Sequence, residues 1–167
     1  PGFNFPGYED VREFEDKYFG DGNRALALIA ADVDRVKDYV FESAKLPEMR
    51  GASLLLDALN LKDNDDEARW GDLVKRGVKG ITQILYEEFL LPYESIIYVG
   101  GGSALIVAPL KQAEEIKHRI EHAYIETTHT ATITVVYQPV RLHELALGIK
   151  PQPPRYWFDD KASKATG

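Results

Sequence analysis

The chain has 167 residues, 44% of them hydrophobic, which is enough for one domain with a substantial core and too short to favour two. A net charge of -7 argues against a surface that wraps nucleic acid, because phosphate binding depends on clustered Lys and Arg. There is no cysteine, which excludes disulfides and thiolate metal or redox sites, and no apolar run approaches the roughly 18 residues of a membrane span.

The first residues, "PGFNFPGYEDV", lack the basic and apolar regions of a secretory signal, so a soluble, cytoplasmic protein without a membrane partner is expected. Residues 8 to 19, "YEDVREFEDKYF", set aromatics and Val at roughly helical spacing among acids, predicting a short amphipathic helix before the "GDGN" turn. "RALALIAADVD" follows. Its apolar run from Ala25 to Ala31 reads as a strand covered on both faces, ending abruptly in Asp32 and Asp34. "RVKDYVFESAK" then places Val36, Tyr39, Val40 and Ser43 on one helical face. Pro47 and Gly51 of "LPEMRG" are expected to break that helix, and "ASLLLDALN" reads as a second one.

The acidic run "KDNDDE" reads as a loop. From Glu67 a longer helix is expected to carry Trp70, Leu73, Val74, Gly77, Ile81, Ile84 and Leu85 on one stripe, with Pro92 ending it. "ESIIYV" and "SALIVAP" read as two strands joined by a turn at Gly100, Gly101 and Gly102. "LKQAEEIKHRIEHAYIE" is an amphipathic helix with Ala113, Ile116, Ile120 and Ala123 facing inward. "TATITVVYQ" alternates Thr with Ala131, Ile133, Val135 and Tyr137 as a half-exposed strand. The last segment, "GIKPQPPRYWFDDKASKATG", is Pro-rich and extended, and with the missing initial Met it suggests a piece of a longer protein.

The order of elements is that of a ferredoxin-like βαββαβ unit, an α+β fold with an antiparallel sheet, helices on one face and extra helices inserted after strand one. In this reading the first strand lies beside the hairpin's first strand, with its C-terminal end close to the glycine turn. Asp32 and the turn then belong to one site. Carboxylates on such a sheet commonly hold divalent metals for nucleotidyl transfer, and Asp32 and Asp34, with the Val33 carbonyl between them, suit a hard oxygen-binding cation such as Mg²⁺ or Mn²⁺. Asp34, one residue before a helix, equally suits an ordinary N-cap.

The stretch "ALIAADVDRVKDYVFESAKLPEMRGASLLLDALN" resembles the first palm motif of the large subunit of type III CRISPR effector complexes. These are RNA-activated cyclic-oligoadenylate synthetases related to GGDEF cyclases. The likeness runs from Asp32 through Ser53, and "IIYVGGGSALIVAP" falls where that family carries Gly-Gly-Asp-Asp between two apolar strands. It covers roughly residues 24 to 140, with 1–23 as a lead-in helix and linker and 141–167 as a Pro-rich extension. The resemblance implies an antiviral role, ATP or a related nucleotide as ligand, and a second palm or a dimer partner. It further implies effector subunits and guide RNA in the parent complex. It places Asp32, Val33, Asp34, Arg50, Ser53, Gly100, Gly101, Gly102 and Ser103 near that nucleotide, with Asp32 and Asp34 as metal ligands.

Gly102 and Ser103 stand where the family has its two hairpin aspartates, which removes one wall of a two-metal site. Three readings follow. The first is a nucleotide-binding palm that forms half of a composite synthetase or serves as a scaffold. The second is an autonomous cyclase acting as a homodimer, and the third a ligand-free interaction module.

Other features read as surface. His118 and His122 lie at i and i+4 without a third ligand, and residues 63–67, "DNDDE", lack the glycine and glutamate of a calcium loop. Arg69, Lys75, Arg76 and Lys79 read as a solvated helix face, with contact to RNA or phosphates in an assembly as the functional alternative. No P-loop, dinucleotide fingerprint or Ser-His-Asp ordering supports another enzyme.

Overall fold

A computed structural model describes residues 7–20, 23–61, 73 and 75–147. The chain divides into two units, one spanning Ala25–Pro139 and a smaller one made from the two flanks.

The larger unit is built on four strands, β1 (Leu26–Val33), β2 (Ile96–Gly100), β3 (Ser103–Pro109) and β4 (Ile133–Val140), in the spatial order β2-β3-β1-β4. This is the ferredoxin-like order expected from the sequence. One expected neighbour is wrong: β1 pairs with β3, the second strand of the hairpin, from Leu26 opposite Pro109 to Asp32 opposite Ser103. The crossover after β1 skips one strand position, and the hairpin folds back into the gap. Antiparallel pairing still brings the end of β1 to the turn, as anticipated.

Along β1, Ala27, Ile29, Ala31 and Val33 are buried, whereas Leu26, Leu28 and Ala30 are half-buried and Asp32 is exposed. The strand is therefore covered fully on one face only. Leu and Ala on the second face produced an unbroken apolar run that imitated a strand buried on both sides. The covered face packs against Ala113, Ile116, Ile120 and Ala123 of a helix over Ala113–Thr128, and against Leu56 and Leu59 of a helix over Leu46–Leu61.

The segment after β1 holds a short helix α2 (Val36–Val40), whose Val36, Tyr39 and Val40 lean on the core. The next helix, α3 (Leu46–Leu61), runs through both Pro47 and Gly51, which were expected to break the chain. Pro47 lies in the first turn, where its missing N–H would have had no helical partner, and an interior glycine costs only about 1 kcal/mol. The apolar residues beyond it outweigh that cost.

The acidic loop and most of the helix expected from Glu67 lie outside the described residues. What is described shows a break in that stripe, because Gly77 takes φ 72° and a new helix α4 starts at Ile81. It covers Ile81–Gln83, passes into a π turn over Ile84–Glu88, and buries Ile81, Ile84 and Leu85. The helical path closes at Leu90, with φ 56°, two residues before Pro92.

Helix α5 (Ala113–Thr128) leads to β4, and Ala131 just before the strand alternates inward with Ile133 and Val135 in it, as expected. Tyr137 breaks the alternation. It is exposed together with Val136 and Gln138.

The smaller unit contains α1 (Tyr8–Phe19), at the bounds read from the sequence, and α6 (Leu142–Leu147), a helix within the segment read as an extension. Glu15 is their buried joint: it accepts from the Leu142 backbone N–H and the His143 imidazole. Arg141 donates to Asp16 at 2.6 Å beside it. Phe14 and Tyr18 pack as a tilted pair on the exposed side of α1, 4.5 Å between ring centroids. No helix among the described residues is long and apolar enough to cross a membrane.

Candidate functional site

The turn "VGGGS" is a two-residue hairpin loop. Gly101 and Gly102 have φ of 61° and 91°, the pair of positive values that a type I′ turn requires. What approaches this backbone is the protein itself. The Tyr98 hydroxyl donates to the Gly100 carbonyl at 2.7 Å and would lie 3.5 Å from a Cβ on Gly100 or Gly101. Gly102 is buried against Val33 and Val36, and its carbonyl accepts the Val33 N–H at 2.8 Å. The turn is thereby tied to the tip of β1.

At that tip each carboxylate is held by a neighbouring strand. The Ser103 hydroxyl, directly across the β1–β3 register, donates to Asp32 Oδ1 at 2.6 Å. Asp34 turns toward β4. Its Oδ2 accepts from the Thr132 hydroxyl at 2.9 Å, and the Thr134 hydroxyl reaches its two oxygens at 3.0 and 3.1 Å. The Asp34 backbone N–H also donates to the Thr132 carbonyl at 2.9 Å. The N-cap alternative for Asp34 does not hold, because Arg35 occupies the N-cap position of α2 and the Asp34 carboxylate engages threonines instead. Sequence reading missed Thr132 and Thr134. The alternation of Thr130, Thr132 and Thr134 through the entry to the last strand was the available signal.

These groups edge a cavity of about 680 Å³. Asp32, Asp34, Asp38 and Glu42 contribute four carboxylates, Arg35 is the only basic residue of the lining among the described residues, and Tyr39, Thr130 and Thr132 add to its polar edge. Arg35 sits in the left-handed region at φ 50° and ψ 43°, a conformation that costs a non-glycine residue about 1–2 kcal/mol. Burial, and then the charge of Glu42, push the Tyr39 phenol above its ordinary pKa.

The structure brings Asp32, Val33 and Asp34 to the cavity and Ser103 onto Asp32. Arg50 and Ser53 lie elsewhere, exposed on α3 and outside the lining. From the same helix Glu48 and Ala52 reach an adjacent hollow of about 430 Å³, shared with Tyr39 and Thr130.

A divalent cation seeks about six oxygens and usually two or more carboxylates that converge on it. Here Asp32 leans toward β3 and Asp34 toward β4, on opposite sides of β1, and oxygens of both already accept hydroxyl donors. Among the described residues no three His, Asp or Glu side chains are grouped to hold a metal. The donor set does not fit a resident cation.

The remaining candidates are engaged elsewhere. His118 pairs with Glu114 at 3.0 Å and His122 with Glu126 at 3.1 Å, each along the exposed side of α5. Lys79 bonds Glu88 and Glu87 at 3.0 and 3.1 Å, which raises its pKa, while Arg76 edges a separate cavity of about 430 Å³.

The sheet order, the helices on one face and the strand tip beside a hairpin turn define a ferredoxin-like α+β domain. No family model matches the chain, and no curated protein matches it. Solved structures do match in fold: a segment of the Csm1-Csm4 cassette in complex with cA3 superposes with a TM-score of 0.53 at 16% identity over 74% of this chain. The cassette in complex with one ATP gives 0.52 at 18% over 74%, and Csm1 in T.onnurineus gives 0.50 at 16% over 71%. Another similar structure is the Csm1-Csm4 subcomplex in the type III-A CRISPR-Csm interference complex. Each match covers 16% of the solved chain, so this chain corresponds to a small part of those proteins' length.

Proposed function

We propose that this chain is a nucleotide-binding palm of a type III CRISPR effector large subunit, forming the half of a composite ATP-using site that lacks hairpin carboxylates. The observation that carries the reading is the register of Asp32 against Ser103: the tip of a palm strand meets the hairpin beside an open cavity, with hydroxyls in place of acids. The fold shared with Csm1, solved with ATP, AMPPNP, cA3 and cA4, supports it. Four carboxylates disfavour a triphosphate in the cavity but accept hydrogen bonds from ribose hydroxyls or an exocyclic amine. The nucleoside therefore enters the cavity while its phosphates stay at the mouth, where the exposed Arg35 meets them.

Catalysis then falls to a second palm, and the effector subunits and guide RNA of the parent complex are its wider partners. Calorimetric titration of ATP into the chain is expected to give binding in the sub-millimolar range, lost on Arg35→Ala. Absence of binding at millimolar ATP would remove the nucleotide reading. With ATP and Mg²⁺ or Mn²⁺ the chain is expected to release no pyrophosphate. Turnover abolished by Asp32→Ala would instead establish an autonomous cyclase.

A further inference from the structure

We infer that three hydroxyls do at this tip what a cation does between paired carboxylates, and that Ser103 is the residue that makes the tip independent of metal. Two ionised acids two residues apart, at and just past the end of a strand, repel each other unless something positive or hydrogen-bonding faces them. Ser103 faces Asp32 at 2.6 Å; Thr132 and Thr134 face Asp34 at 2.9 to 3.1 Å. The donors come from β3 on one side of β1 and from β4 and the residue just before it on the other, so the two acids are satisfied from opposite sides. A cation bridging them would have to displace hydroxyls on both sides.

The register makes position 103 the deciding one. An aspartate there would set a carboxylate opposite Asp32 at hydrogen-bonding distance, where two ionised groups persist only with a cation between them. Serine supplies a proton donor at the same place. The change from carboxylate to hydroxyl thus removes a metal ligand and simultaneously satisfies the acid that remains.

The test uses the 167-residue chain without nucleotide and follows the electron paramagnetic resonance signal of free Mn²⁺ during titration. Wild type and Asp32→Asn are expected to give the same binding curve, set by surface acids alone. Ser103→Asp is expected to gain a site at least tenfold tighter than any in wild type, lost again when Asp32→Asn is added, and to melt at a higher temperature with Mn²⁺ than without. A wild-type site that disappears in Asp32→Asn would overturn the inference, and so would a folded Ser103→Asp protein that gains none. Should Ser103→Asp fail to fold, the comparison of wild type with Asp32→Asn still decides. Because the titration is run without nucleotide, a failure of ATP to bind leaves metal independence standing, and a metal site at Asp32 leaves nucleotide binding untouched.

Discussion

Alanine at Gly101 or Gly102 would have to adopt a left-handed φ of 61° or 91°. A Cβ on Gly102 would meet Val33 and Val36 at 3.6 Å, ordinary contact, so the loss is conformational rather than steric. Each substitution is expected to cost about 1–2 kcal/mol, read as a lower urea midpoint with an unchanged slope. The need for glycine in this turn was legible from residue type. So was its reason, a positive φ in a two-residue turn, whereas the packing of Tyr98, Val33 and Val36 beside it was not, because side-chain direction depends on the fold. Asp32 likewise stood out after seven apolar residues, whereas its hydroxyl partner lies 71 positions away.

At the scale of elements, α3 and α5 meet through a buried polar pair. The Tyr124 hydroxyl donates to Asn60 Oδ1 at 2.9 Å, and the Asn60 amide donates to the Leu56 carbonyl at 2.9 Å. Burial raises the Tyr124 pKa far above its ordinary value, a rise the Asn60 hydrogen bond only partly opposes. Tyr124→Phe leaves the Asn60 acceptor buried without that donor and is expected to destabilise by about 1–3 kcal/mol by chemical denaturation. Adding Asn60→Leu should recover part of the loss, since removing both polar partners is cheaper than orphaning one. Helical spacing identified α5 and its inward residues. It misjudged Pro47 and Gly51, because a residue's capacity to break a helix depends on which turn it occupies and on what its neighbours bury.

At the scale of the whole molecule, two carboxylates among the described residues, one in each unit, are held below their usual range and so confer acid sensitivity. For Glu15, burial favours the neutral form but is outweighed by bonds from His143 and the Leu142 N–H and by the Arg141 charge, so its pKa falls below the ordinary 4.5. For Glu88, the Arg119 hydrogen bonds lower it first, against burial, with Lys79 adding to them. A depressed carboxylate pKa stabilises the folded state above the unfolded value, and that stabilisation is lost as pH falls through the folded one. Hydrogen exchange of the α1 and α6 amides is therefore expected to quicken as pH drops below about 4.5, after correction for intrinsic rates. Glu15→Gln should remove that dependence while leaving the Glu88 region unaffected.

The sequence by itself determined the order of strands and helices, the palm-like α+β class, and the meeting of Asp32 with the glycine turn. Those follow from the periods of apolar residues and from turn chemistry, which are local. Only the tertiary structure decided that β1 pairs with the hairpin's second strand, that Arg50 and Ser53 stand apart from the cavity, and that Thr132 and Thr134 hold Asp34. Strand neighbours and register are fixed by which faces pack together across the whole sheet, and no window of the chain contains that information. The hairpin "VGGGS" shows the division clearly. Its glycines and its lack of a carboxylate are visible in the sequence, but the Ser103 hydroxyl that meets Asp32 is visible only in the fold.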